Sequence, residues 1–465
     1  MRIFRIAPLL LLTILVVPGM LFSAVDSIIK LEQDKLTLRV TEMPLSLILD
    51  SIAQTGIQIK TDPRIDPDIT ANFSMRPIGR ALDSILGPYN HALVWEHQSA
   101  DDTTLSLVEI QIFEPGKKDR IRALREADNL DVIKGKSGRL LVRDVLLLHL
   151  KQDAGKETVE ALLNGYNATL LSWNETFGIL RILLPEGSDP ERISNTLLRE
   201  ATVNHAEPDY AYPLNAPPVT LPGQGLATVP QILPEQIAGS TIAVLDSGFS
   251  REYSDSSYLA GSYNALSPES PIDDPVGHGT QMTMIASGAI QPVGVEETTE
   301  FTHPVLSIRS FDDNGFTSTY TLLNSIDYAV ATGARILSMS WGSEDNSPML
   351  DTAINYAADS GLILVAAAGN SPTGVPVYPA AYDNVIGVGA LMPDGSVWNQ
   401  SNFGDFVAIQ APGLADLPVG YNGAPGLYAG TSISTAFTAL MIAEALDKNP
   451  EPDMDTLLET ISASP

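Results

Sequence analysis

Gly430-Thr431-Ser432-Ile433-Ser434-Thr435 stands between a short apolar-polar run and a long apolar segment, Ala436 to Leu446, that reads as a buried helix. A serine at the mouth of a buried helix has its hydroxyl beside backbone N–H groups that lack intrahelical partners, at the positive end of the helix dipole. Negative charge developing beside that hydroxyl is favoured. Taken alone, Thr-Ser before an apolar run is an ordinary helix cap.

Two upstream stretches change that reading. Thr241-Ile242-Ala243-Val244-Leu245 is a continuous apolar strand pattern running into Asp246-Ser247-Gly248, and Gly277-His278-Gly279-Thr280 places His278 32 residues after Asp246 (278 − 246). A carboxylate, an imidazole and a hydroxyl in the order Asp, His, Ser is one of three chain orders that build the serine-hydrolase triad. Order and flanking residues together resemble the subtilisin-like serine proteases (subtilases), whose motifs Asp-Ser/Thr-Gly, His-Gly-Thr and Gly-Thr-Ser stand here unchanged. Ala366-Ala367-Ala368-Gly369-Asn370 matches the strand end that carries the family's oxyanion-hole asparagine, and Ser340-Trp341-Gly342 matches its substrate-binding strand. Five motifs in one order carry far more weight than any one of them.

The chemistry fits those residue types. A serine hydroxyl is unreactive at neutral pH until a base takes its proton, and imidazole can accept that proton and return it to a leaving amine. Ser432 is thus the expected nucleophile and His278 the base, with Asp246 holding the imidazole tautomer. The resemblance implies that Asn370 donates to the oxyanion together with the Ser432 N–H, and that Ser340, Trp341 and Gly342 offer an edge strand to an extended peptide. Trp341 has two readings, the wall of a subsite or plain packing. Asp273 and Asp274, in a Pro/Asp loop, read as surface or ion-binding residues. One departure is Ala436, where the family has proline four residues after its serine; it removes no catalytic group. The chemistry needs no cofactor, no metal ligand set is read from the sequence, and the resemblance admits a structural Ca²⁺ ion.

Composition bounds the rest. The chain has 465 residues, no cysteine and a net charge of −29. Residues 236–465 hold 26 Asp/Glu against four Lys/Arg, a balance of −22. So acidic a region argues against nucleic acid or an anionic membrane as partner, and the missing cysteines exclude a thiol nucleophile and thiolate metal sites.

Residues 1–24 read as a targeting segment: Arg2 and Arg5, an apolar run from Leu9 to Val17, Pro18-Gly19 and a cleavage point after Ala24. The run is short for a membrane span, which favours a cleaved export signal over a retained anchor. Residues 25–115 show strands and two helices opened by Pro44-Leu45 and Pro77, each carrying Leu-Asp-Ser-Ile (49–52 and 82–85). This pattern resembles the secretin and TonB N-terminal (STN) domain of bacterial envelope proteins, which implies a Gram-negative envelope or periplasmic setting and a docking partner there. Residues 116–139 form a basic linker whose contact with the acidic region is a hypothesis. Residues 140–212 read as βαββαβ, a ferredoxin-like sheet with two helices. Placed before the protease, that unit resembles the subtilase propeptide, which implies an intramolecular inhibitor. Residues 213–235 are a Pro-rich connector, and self-cleavage is expected within 213–236. Residues 236–465 alternate apolar strands and helices, the pattern of an α/β parallel sheet covered on both faces.

The expected protein is an exported, self-processing serine endopeptidase acting on peptide or protein substrates. Two rivals use the same sequence: an envelope binding or signalling protein with a degenerate protease domain, and an esterase with the same triad. The intact set Asp246, His278, Asn370 and Ser432 argues against the first, and the prodomain and edge-strand motif against the second.

Overall fold

The computed structural model describes residues 28–462 except 33, 54–56, 62–64, 66, 88, 98–104, 116–121, 124–128, 152–155, 215–218, 222–236, 269, 296–301 and 420–424. The targeting segment, much of the basic linker and most of the connector with its expected cleavage range lie outside these residues. No helix among them is long and apolar enough to cross a membrane. The chain divides into two units, Met1–Ala127 and Asp128–Pro465.

The first unit contains an antiparallel sheet of Ile28–Glu32, Lys35–Pro44 and Asp68–Pro77. In a second sheet Gln58–Thr61 runs parallel to Leu105–Phe113, which pairs antiparallel with Asn90–His97. Helix Leu45–Ala53 buries Leu45, Ile48, Leu49 and Ile52, the i, i+3, i+4, i+7 stripe that its sequence shows. Helix Ile78–Leu86 buries Ile78, Ala81, Leu82 and Leu86 in the same core.

The second unit opens with a hairpin: Val132–Lys134 pairs with β1 (Leu140–Leu150), so the end of the expected linker is part of a sheet. α1 (Lys156–Gly165), β2 (Thr169–Asn174), β3 (Ile179–Leu183), α2 (Pro190–Leu197) and β4 (Val203–Pro213) follow. Asp189 caps α2, accepting from Arg192 N, and Pro190 fills the first helical position, where a missing N–H costs nothing. The strands lie antiparallel in the order β2–β3–β1–β4.

The remaining elements are β5 (Ile242–Asp246), β6 (Leu259–Asn264), α3 (His278–Ala286), β7 (Val305–Arg309), β8 (Phe316–Ser318), α4 (Thr319–Ala331), β9 (Ile336–Met339), α5 (Pro348–Asp359), β10 (Ile363–Ala367), β11 (Val385–Leu391), β12 (Val407–Pro412), β13 (Leu414–Leu417), β14 (Gly426–Ala429), α6 (Thr431–Lys448) and α7 (Met454–Ser462). Seven strands make one parallel sheet, ordered β6–β7–β5–β9–β10–β11–β12. Successive side chains of a strand face opposite ways, and here both faces are dry. Ala243, Leu245, Leu306, Ile308, Leu337 and Met339 pack with Leu322, Ile326, Leu350 and Ile354 of α4 and α5. Ile242, Val244, Val305 and Ile336 pack with Ile285 of α3 and Ile433, Ala436 and Leu440 of α6. The continuous apolar runs arise from this double burial. In such a sheet, ligands bind beyond the carboxyl ends of the strands.

β4 joins the small domain to the large one. Its first part pairs with β1, and its last residues pair antiparallel with β8: Ala211 with Ser318, Tyr212 with Thr317, Pro213 with Phe316. Two acidic residues of β4 meet helix starts. Asp209 Oδ1 accepts from Tyr320 N at 3.0 Å, in the first turn of α4. Glu207 Oε1 accepts from the hydroxyl of Ser347, the residue that caps α5, at 2.5 Å. Both placements set negative charge at the positive end of a helix dipole. Asn174 bonds Asn324 (2.9 Å), Thr176 bonds Asp327 (3.0 Å) and Phe177 meets Tyr356 edge-on, 5.2 Å between ring centres. Arg139, from the expected linker, stacks on Tyr210 and pairs with Asp345 at 3.1 Å.

Candidate active site

Asp246 ends β5 and His278 begins α3. Imidazole Nδ1 lies 2.7 Å from Asp246 Oδ1, both side chains only 1% exposed. An ionised carboxylate can only accept, so Nδ1 carries the proton and Nε2 is the basic nitrogen. Ser247 N donates to the same carboxylate oxygen at 2.7 Å, while the buried Asp246 Oδ2 has no hydrogen-bond partner among the described residues. Burial disfavours the imidazolium, but the charge and hydrogen bond of Asp246, helped by the charge of Asp274, outweigh it. The His278 pKa is raised above its ordinary value.

The two glycines around His278 have distinct jobs. Gly277 has φ 86°, a left-handed turn into the helix that residues with a Cβ resist. A Cβ on Gly279 would come within 2.4 Å of Gly248 O, so the loop after β5 presses directly on the first turn of α3.

Ser432 is the second residue of α6. Its hydroxyl donates to Ser340 O at 3.1 Å, and the Ser340 hydroxyl donates back to Ser432 O at 3.2 Å. Ser340 thus clamps the end of β9 to the start of α6. Asn370 follows β10, and its Oδ1 accepts from Thr431 N (3.0 Å) and Thr431 Oγ1 (2.8 Å). Two donors on one amide oxygen fix the flip of the amide and turn its NH₂ away from Thr431. Ala436 lies within α6, fully buried, without interrupting it.

Gly342 closes tightly on Val377, where a Cβ would come within 2.4 Å of Cγ1. Beside it a cavity of ≈ 170 Å³ is lined by Gly342, Ser343, Glu344, Asn370, Val377 and Asn402 among others. Trp341 is 1% exposed and meets Phe311 edge-on at 5.9 Å, so of its two readings the structure shows packing. Among the described residues no group of three or more His, Asp or Glu is placed to hold a metal ion.

Asp274 departs from its reading as a surface or ion-binding residue. It is 7% exposed and accepts from Gly277 N, Thr280 N and Thr280 Oγ1 at 2.8, 2.7 and 2.6 Å. Its neighbour Asp273 faces outward and pairs with Arg251 at 3.2 Å. The reach of the connector was also not legible. Leu214 N donates to Gly315 O at 2.7 Å, continuing the β4–β8 pairing, and Val219–Leu221 pairs antiparallel with β14, which leads directly into Ser432.

Comparison with known proteins agrees with this geometry. Residues 238–463 match the sequence model of the subtilase family, peptidase S8. The minor extracellular protease Epr of Bacillus subtilis is 34% identical over 210 residues, 45% of this chain and 32% of that protein. A thermophilic serine proteinase of Bacillus sp. strain AK1 is 27% identical over 287 residues, 59% of this chain and 70% of that one. The chain thus spans about a third of the first relative's length. Among solved structures, fervidolysin from Fervidobacterium pennivorans, a keratinolytic enzyme related to subtilisin, superposes with TM-score 0.55 at 20% identity, covering 70% of this chain and 58% of its own, a likeness of fold. Residues 238–463, just under half of the chain, are therefore subtilisin-like in sequence and in fold.

Proposed function

We propose that this chain is a serine endopeptidase whose triad is Asp246, His278 and Ser432, made as a precursor that cuts itself. The observation that carries the reading is the 2.7 Å contact between His278 Nδ1 and Asp246 Oδ1, buried at the carboxyl end of the parallel sheet. That contact leaves Nε2 to act as base. In the resting arrangement the Ser432 O–H is spent on Ser340 O; for attack the single hydroxyl proton turns to His278, and the acyl-enzyme forms on Oγ. The imidazolium then protonates the leaving amine, and the same nitrogen activates water for deacylation. Asn370, its amide oxygen held by Thr431, has its NH₂ oriented for the oxyanion together with Ser432 N–H.

The role of inhibitor falls to residues 140–212. Support comes from β4, which ends as an added strand on β8, and from Glu207 and Asp209 at the starts of α5 and α4. The likenesses to the AK1 proteinase and to fervidolysin cover more of the chain than residues 238–463. Self-cleavage is proposed within 213–236. Export rests on the sequence of residues 1–24 and on the extracellular relative, and a docking role for residues 25–115 on their STN-like pattern.

The test compares intact masses of secreted wild type and Ser432→Ala, each then treated with a fluorophosphonate. Processing within 213–236 and labelling of the wild type alone are expected. A wild type that is neither processed nor labelled, even after mild proteolysis has removed the N-terminal region, would sink the proposal and leave an envelope binding protein in its place.

A further inference from the structure

Resting on the triad reading, we propose that Asp274 is a second carboxylate of the catalytic machinery, a positioning residue that holds His278 in place through the backbone on either side of it. Its two oxygens straddle the histidine in sequence. Oδ1 accepts from Gly277 N, the residue before it, and Oδ2 from the amide and hydroxyl of Thr280, two residues after it. Thr280 Oγ1 in turn accepts from Ser250 N at 2.9 Å, and Gly279 N donates to Ser247 Oγ at 2.8 Å. The loop after β5 and the first turn of α3 are therefore locked by two bridges, one ending on Asp246 through Ser247 and the other on Asp274 through Thr280.

An amide cannot replace this carboxylate. Gly277 N–H and Thr280 N–H both donate, so an Asn side chain would set its NH₂ against one of them, leaving a buried donor unmet. The first turn would then lose one of its two anchors, and the imidazole its fixed angle to Ser432. Among the described residues the charges that face this corner are few. Asp246 comes from β5 and Asp274 from the loop before α3, while Arg309 on β7 is engaged by Asp313. α6 carries no charged side chain before Glu444.

The variants to make in the full chain are Asp274→Asn and Asp274→Ala, with the fluorophosphonate labelling rate followed against pH. For Asp274→Asn we expect kcat to fall about tenfold or more with KM little changed, since small misplacements of a catalytic group have that effect. Its acid limb should also move to lower pH by a few tenths of a pH unit, because one negative charge beside the imidazole is gone. A labelling rate within twofold of wild type and an unmoved acid limb would overturn the proposal, as would a change confined to KM. Should Asp274→Ala fail to fold, Asp274→Asn, with unfolding temperature as a check, still decides. Failure of the wild type itself to label would refute the triad reading, a separate outcome from failure of the Asp274 variants to differ.

Discussion

Asp246 and Asp209 are both buried carboxylates, and each meets a nitrogen base, yet their surroundings differ in kind. Asp246 faces an imidazole that can gain or lose a proton, and one of its oxygens has no hydrogen-bond partner among the described residues. Asp209 faces the guanidinium of Arg181 at 2.9 Å, a group that does not titrate, and both its oxygens are bonded. Burial pushes the Asp209 carboxyl up despite Arg181, so holding its charge there costs free energy that the guanidinium and the start of α4 offset only in part. The first arrangement leaves a proton free to move. The second spends every bond on holding two surfaces together.

The same isosteric change at both sites breaks the comparison most sharply. Asp246→Asn keeps the shape but lets the imidazole take the wrong tautomer, and the loss in kcat should be about 10⁴-fold. Fluorophosphonate labelling of the purified variant measures it. Asn370→Ala comes next: removing one oxyanion donor should cost about 10²–10³ in kcat, the range known for this asparagine in subtilisin, with KM nearly unchanged. Asp209→Asn should leave the triad intact and instead loosen the docked β4 by about 2 kcal/mol, or roughly 30-fold, the scale of a hydrogen bond to a charged group. Limited proteolysis of the connector in a Ser432→Ala background reads that change. If Asp209→Asn leaves the connector as well protected as in its Ser432→Ala parent, the division between the two carboxylates is wrong.

The pH profile sharpens the same contrast. His278 acts as a base only when neutral, and its pKa is raised, so activity should fall on acidification at a pH above the ordinary histidine value of about 6.5. An acid limb below that value would show that burial outweighs the charges of Asp246 and Asp274.

Much of the catalytic region is legible because its elements are buried on both sides. Strand Val305–Arg309 is buried along its whole length, and helix Thr319–Ala331 buries Leu322, Leu323, Ile326 and Ala329. The members of the proposed triad stand out because each sits within an unbroken motif. What escapes are features whose partner lies far along the chain. β6, Leu-Ala-Gly-Ser-Tyr-Asn, is an edge strand of mixed exposure without an apolar run. β8 has three residues and gains its meaning from β4, more than a hundred residues earlier. Asp274 escapes for a subtler reason. The cap signature expects the side chain just before the first helical residue, and there stands Gly277; the carboxylate comes from four residues before His278, around a turn that contains Pro275. Trp341 was ambiguous because tryptophan both packs and binds, and only the fold places it against Phe311.

The smallest expected effect tests whether Glu207 works as Asp209 does. Glu207 reaches α5 only through Ser347, whose hydroxyl caps the helix by accepting from Leu350 N at 3.2 Å while donating to the carboxylate. Ser347→Ala removes both bonds and should destabilise the precursor by about 1 kcal/mol, the usual cost of losing a cap. Processed enzyme, which on the proposed scheme has shed residues 140–212, keeps the cap but not its acidic partner. The penalty should therefore be larger in the Ser432→Ala precursor than in the processed enzyme, measured as the difference in unfolding temperature against each parent. Equal penalties in both would mean that Glu207 adds nothing to the cap, and that of the two acidic residues of β4 only Asp209 helps hold the small domain on the helices.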